Sequence, residues 1–149
     1  MVWGGMSLST RTPLHVIDGI LNGVRYRDEI LAPIVMPSLD DLRPNAIFKN
    51  DNAPAHRACV VTNFLASHQV VRMAWPACSP DLNPIEHLWD VLGRRIRSNH
   101  PPAGTLARLV ELLEMEWAAI PQDTIRTLVQ SMRRRCQACI HARGGHTRY

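Results

Sequence analysis

The chain has 149 residues, 46% hydrophobic and 20% charged, with a formal net charge of +4. That length suits one domain around one core, and the composition is that of a globular fold, not a disordered or fibrous chain. No apolar run approaches a membrane span, Met1-Val2-Trp3-Gly4-Gly5 carries no basic-then-apolar leader, and four scattered cysteines (Cys59, Cys78, Cys136, Cys139) make no disulfide framework. The expected setting is intracellular and reduced.

In chain order, Met1 to Leu8 reads as a strand whose glycines allow a close approach. Leu14 to Ile20 alternates as a second strand, and Asn22-Gly23 signals a turn. A helix is expected over 26–35, followed by a turn-rich linker, MPSLDDLRPN, over 36–45. Ala46 to Asn50 is a short apolar strand ending in Asp51-Asn52-Ala53-Pro54. A helix over 57–67 puts Val60, Val61, Phe64 and Leu65 on one face, and 70–75 forms another strand. Asn83 is a suitable N-cap and Pro84 suits the first helical position, so a helix is expected over 84–98, ended by His100-Pro101-Pro102. The spacing Asn83-x-x-Glu86 resembles a capping box. Leu106, Leu109, Val110, Leu113 and Trp117 share a face of a helix over 105–120. The last helix opens at Asp123 or Thr124, turns Ile125, Leu128, Val129, Met132 and Cys136 inward, and ends at Gly144-Gly145. Strands interleaved with helices, followed by helices alone, argue an α/β front and a helical cover.

Charge is unevenly spread. Residues 1–92 carry seven Lys/Arg against nine Asp/Glu; residues 93–149 carry ten against four, and all ten are arginine. Arginine forks onto phosphate bidentately, so the second half suits a polyanionic partner. Arg94, Arg95 and Arg97 on one helix and Arg133, Arg134 and Arg135 on another are the candidate DNA-binding residues; the plainer alternative is a solvated helix surface. On the 84–98 helix, Ile85, Leu88, Trp89, Leu92 and Ile96 form the core face, opposite Glu86, Asp90 and Arg97. Trp3, Trp75 and Trp89 read as core rather than base-stacking residues.

Two carboxylates attract chemical interest. Asp51 follows a strand, where α/β sheets line their ligand crevice, although Asp-Asn-Ala-Pro also suits a plain turn. Glu86 starts a helix aimed by Pro80 and Pro84, and thirty-four residues lie between it and Asp51. Carboxylates that converge hold hard divalent cations, and a pair of such ions roughly 3.5–4 Å apart drives phosphodiester displacement. Cys136-x-x-Cys139 with His141 and His146 invites a zinc reading, but one residue between Cys139 and His141 is too short a loop for a structural site.

The stretch KNDNAPAH (49–56) resembles the (Q)DNAPxH signature of mariner-superfamily transposases, and WPACSPDLNPIEHLW (75–89) resembles their WPxxSPDLNPIEHLW signature. Cys136 through Tyr149 is similar to the C-terminal end of the same proteins. A glutamate as the last acid, after thirty-four residues, resembles the Tc branch rather than mariner proper.

The resemblance implies a ribonuclease-H-like α/β fold, with 1–149 as a partial DDE catalytic domain (1–92 the α/β part, 93–149 the helical basic part). It implies that Asp51 and Glu86 are the second and third catalytic, metal-binding acids of a DDE triad. It also implies Mg²⁺ or Mn²⁺ as cofactor, transposon-end and target DNA as partners, possible homo-oligomers and a nuclear setting. The family's first aspartate precedes the segment like Val2-Trp3-Gly4-Gly5, and Asp18, Asp28 and Glu29 do not match it. The paired helix-turn-helix region is also upstream. The chain alone is therefore expected to be catalytically inactive, a fragment or relic. The rival expectations are a non-catalytic nucleic-acid-binding domain and a protein-interaction remnant.

Overall fold

The computed structural model describes residues 1–42, 44, 46–77, 79–145 and 147–148. Arg43 and Asn45 of the expected linker, Cys78 of the proline-rich motif, His146 and Tyr149 lie outside the described residues. The chain divides into two compact units: Met1–Trp3 with His15–Cys78, and Gly4–Leu14 with Ser79–Tyr149.

In the first unit, β1 (Val2–Trp3) pairs antiparallel with β2 (His15–Val16), with Val2 opposite Val16 and Trp3 opposite His15. These strands are far shorter than the alternating pattern suggests. Gly19, at φ +69°, lies past the end of β2, inside the stretch expected to be a strand. The segments around Phe48 and Arg72 run parallel and meet at one bridge, where Phe48 N–H donates to Val71 (2.8 Å) and Met73 N–H to Phe48 (2.9 Å).

Asn22, expected in a turn, is a helix cap. Its side chain accepts the Arg25 N–H, and the helical run starts at Gly23. A Cβ on Gly23 would clash with the Ala58 Cβ, so the glycine is there for close packing. The run comprises α1 (Gly23–Arg25), a π-helical stretch (Tyr26–Val35) and α2 (Met36–Leu42). The expected linker is thus helical as far as Leu42. Leu39 belongs to the buried core, and the prolines at 33 and 37 sit on the exposed side. Pro33, with no N–H to donate, falls in the wider π turns. The expected 57–67 helix divides at Ala58, whose ψ of 141° separates α3 (Pro54–Arg57) from α4 (Cys59–Ser67). Tyr26, Ile30, Leu31, Val61 and Leu65 are fully buried, with Ile17, Val35 and Leu39 beside them and Trp3 and Phe48 packed against the cluster.

The second unit is helical: a 3₁₀ turn (Pro80–Leu82), α5 (Pro84–Asn99), α6 (Leu106–Ala119), α7 (Gln122–Gln130) and α8 (Met132–His141). The core face expected of α5 is observed: Leu88 and Leu92 are buried, with Ile85, Trp89 and Ile96 packed around them. The Trp89 and Trp117 rings stack at 5.1 Å, and Ile120 and Ile125 complete the cluster. Thr105 caps α6 by accepting the Arg108 N–H. The final helix breaks at Ser131, whose hydroxyl donates to the Leu128 carbonyl and leaves Cys136 exposed instead of inward. Gly144 takes φ +79° after α8, as a C-terminal glycine should. Among the described residues no helix is long and apolar enough to cross a membrane.

The expected close approach at the N-terminal glycines falls on Gly4. A Cβ there would lie 2.9 Å from the Trp117 ring and 3.1 Å from Trp89. Gly4→Ala is expected to destabilise the protein by about 1–3 kcal/mol through overpacking; a urea titration followed by tryptophan fluorescence checks this.

Candidate functional site

Asp51 lies three residues after the bridge at Phe48 and three residues before the start of α3. One carboxylate oxygen, Oδ1, accepts the Ala53 N–H at 3.0 Å and faces His56 Nδ1 at 2.6 Å. Oδ2 makes no hydrogen bond among the described residues, and the side chain is 45% exposed. Asn52 ties this loop to the neighbouring segment by donating Nδ2–H to the Trp75 carbonyl at 3.0 Å. The His56 ring lies 4.2 Å from the Tyr26 ring. Tyr26 is fully buried, and that burial pushes its phenol well above the ordinary value, so it is neutral at physiological pH. The Asp-Asn-Ala-Pro segment, for which a plain turn was one of two readings, therefore holds a carboxylate with one oxygen engaged and the other open among the described residues.

Glu86 sits in the first turn of α5 and is exposed. Asn83 occupies the N-cap position, but its side chain makes no cap bond to the helix backbone. Instead Asn83 Nδ2–H donates to Glu86 Oε1 at 3.0 Å, which replaces the expected capping box and orients the carboxylate. Glu86 and Asp90, one turn apart, line an open concavity of about 260 Å³ with Pro80, Asp81 and His87. The preceding 3₁₀ turn is held from α8 and the tail. Arg135 donates to the Asp81 carbonyl at 2.8 Å, and the Thr147 hydroxyl and N–H donate to Asp81 Oδ2 at 2.7 and 3.1 Å.

The six candidate arginines divide. Arg94 pairs with Asp90 at 3.0 Å across one helical turn, with both side chains more than half exposed. Arg97 is exposed, its guanidinium passing over Gly93, where a Cβ would lie 3.3 Å from Nη1. Arg133 and Arg134 are exposed on α8. Arg135 departs from the expected DNA-binding cluster. It is 1% exposed, with Nε donating to Ser131 Oγ at 2.8 Å as well as Nη1 to Asp81. Helical spacing explains it: three consecutive residues span most of a turn, so one of them faces inward. Arg95 is also engaged, 2.6 Å from the buried Glu116.

Sequence reasoning missed the group around Glu116. Asn99 donates to its carboxylate at 3.0 Å, and His100 Nε2 lies 2.8 Å away. Hydrogen bonds from Asn99 and His100, then Arg95, outweigh burial and hold the carboxyl down at about 2. No short motif marks this set; a glutamate on the otherwise apolar face of α6 was the available signal. His56 was legible as the end of the Asp-Asn-Ala-Pro-Ala-His run but not as a partner of Asp51. Trp75 is half-buried, with the Lys49 ammonium 3.8 Å over its ring. Among the described residues no group of three or more His, Cys, Asp or Glu could hold a metal. That leaves the zinc reading without support from Cys136, Cys139 and His141; His146 lies outside the described residues.

Residues 2–109 match the family described as DDE superfamily endonuclease. The chain is 38% identical over 150 residues to the Tcb1 transposable-element transposase of Caenorhabditis briggsae, and 38% identical over 153 residues to the Tc1 transposase of Caenorhabditis elegans. Both matches cover all of this chain and 54% of the relative, so the chain spans about half the length of the curated relatives it matches. In three dimensions it resembles the catalytic domain of Mos1 mariner transposase (TM-score 0.80, 20% identity, 97% of this chain and 73% of that one). It also resembles the Mos1 transposase paired-end complex with left transposon end (TM-score 0.81, 22% identity, 98% and 43%). The chain belongs to the DDE superfamily endonucleases, as a Tc1/mariner-type transposase domain. Its fold is the ribonuclease-H-like fold of the Mos1 catalytic domain, with only one two-stranded sheet among the described residues.

The lowered Glu116 carboxyl has a stability consequence. A carboxylate whose folded value lies below its unfolded one, near 4.5, stabilises the fold fully above that value, and the contribution is lost as pH falls toward about 2. Glu116→Gln is expected to flatten the pH dependence of the melting temperature in that window. It should also cost roughly 1–3 kcal/mol at neutral pH, because Arg95 is left uncompensated. Thermal melts of both proteins from pH 2 to 7 read both effects.

Proposed function

We propose that the chain is the acid-bearing part of a DNA-cutting and DNA-joining core, in which Asp51 and Glu86 are the catalytic metal ligands. The observation that carries this reading is the state of the two carboxylates. Each has one oxygen held by a neighbouring donor, and each keeps a second oxygen without a hydrogen bond among the described residues. Hard carboxylate oxygens suit Mg²⁺ or Mn²⁺, and solved Mos1 catalytic-domain structures are described with Mg and with Mn. Such ions supply an activated water or hydroxyl and stabilise the leaving oxygen of a phosphodiester.

The protein's own residues do the rest. The fixed oxygens keep each carboxylate from turning. Arg94, Arg97, Arg133 and Arg134 contact phosphate, whereas Arg95 and Arg135 brace the fold. The partners are transposon-end and target DNA, a reading supported by the Mos1 paired-end and strand-transfer complexes; copies of the protein assemble on that DNA in the nucleus. Residues 1–149 form part of one DDE catalytic domain. The purified 149-residue chain supplies two of the triad's acids, so it binds metal and DNA without cutting.

Two experiments test this. Mn²⁺ titration followed by electron paramagnetic resonance is expected to show binding that weakens at least about tenfold in both Asp51→Ala and Glu86→Gln; unchanged affinity in both variants removes the metal role. Gel-shift titrations against salt are expected to lose about one unit of slope in Arg133→Ala and in Arg134→Ala, with no nicking of supercoiled plasmid in Mg²⁺. DNA binding that ignores EDTA and Asp51→Ala, combined with unchanged Mn²⁺ affinity, identifies a non-catalytic binding domain instead.

A further inference from the structure

We infer that His56 is the positioning residue for Asp51, locking the carboxylate through Oδ1 so that Oδ2 is presented to the metal. This rests on the proposed metal role of Asp51.

A carboxylate on an exposed turn rotates broadly about its last torsion. That freedom weakens metal binding, because it is lost when a cation is held. Here two donors meet Oδ1, the Ala53 N–H at 3.0 Å and His56 Nδ1 at 2.6 Å. A carboxylate only accepts, so Nδ1 carries the proton and donates it. His56 is itself well held. Its backbone N–H donates to the Ala53 carbonyl at 2.9 Å, its side chain is only 14% exposed, and its ring lies against the fully buried Tyr26. Tyr26 stands in the middle of the first unit's core, with Ile30, Leu31, Val61 and Leu65. Contacts therefore run unbroken from apolar core to phenol ring, to imidazole, to Oδ1. Outer partners of this kind orient a ligand and are worth roughly 10- to 100-fold in metal affinity.

The test uses Mn²⁺ as the probe on the full 149-residue chain, comparing wild type, Asp51→Ala, His56→Ala, His56→Asn and His56→Gln by electron paramagnetic resonance. Melting temperature is recorded for each variant. An asparagine places its amide N–H where Nδ1–H was, whereas a glutamine reaches toward the Nε2 position. The expected result is Mn²⁺ affinity roughly tenfold weaker in His56→Ala and His56→Gln, and restored close to wild type in His56→Asn. A purely structural role for His56 would instead follow the melting temperatures. If His56→Ala does not fold, the Asn and Gln variants decide. Mn²⁺ binding as tight in His56→Gln as in wild type, while Asp51→Ala has lost it, overturns the positioning role alone. Binding unchanged in Asp51→Ala overturns the metal reading and this inference together. Long-range ¹H–¹⁵N spectra add a metal-free readout: His56 is expected as the Nδ1–H tautomer, and an Nε2–H tautomer contradicts the inference.

Discussion

The hydrogen bond between His56 Nδ1 and Asp51 Oδ1 joins the apolar core of the first unit to its exposed carboxylate. Everything upstream of it is ordinary folding physics. Asn22 caps a helical run, Gly23 lets that run approach Ala58, and Tyr26 is carried to the centre of the core. The phenol ring then supports the imidazole, and the imidazole restrains an acid that would otherwise swing in solvent. Burial of apolar surface, at about 25 cal/mol per Å², fixes Tyr26 and through it a polar group at the surface. Rigid support of this kind is what a precise ligand site requires.

The second unit meets the same requirement with different parts. Glu86 is aimed by a helix start, with Pro84 at the first position and the Asn83 amide on its carboxylate. The turn before it is braced by Arg135 and Thr147 through Asp81, so residues distant in sequence steady the approach to the helix. Arginine in this unit has two physical roles. Buried Arg135 meets the Asp81 carbonyl and the Ser131 hydroxyl, and half-buried Arg95 meets a buried carboxylate, while Arg133 and Arg134 are exposed. A count of positive charge treats all four alike; burial separates them.

What the sequence made legible follows from range. The core face of α5 stood out because Ile85, Leu88, Trp89, Leu92 and Ile96 repeat at helical spacing. The family was legible because the motifs around Asp51 and Glu86 are long and specific. The helix through Met36–Leu42 was not, since two prolines and two aspartates across 36–45 imitate a linker, whereas Leu39 is carried into the buried core. Strand lengths were overstated because alternation marks a face, not a ladder of hydrogen bonds. Contacts such as Arg135 to Asp81 or Asn99 to Glu116 join positions that no local pattern relates. The inward turn of Cys136 failed for a similar reason: the break at Ser131 resets the helical phase.

The proposed role of Asp51, a metal ligand restrained by His56, is open to direct observation. Anomalous diffraction at the manganese edge, from crystals grown in Mn²⁺, tests it most directly. The expected result is a peak bonded to Asp51 Oδ2 while His56 Nδ1 keeps its hydrogen bond to Oδ1. Ordered manganese elsewhere in the molecule, with both Asp51 oxygens uncoordinated, would contradict it.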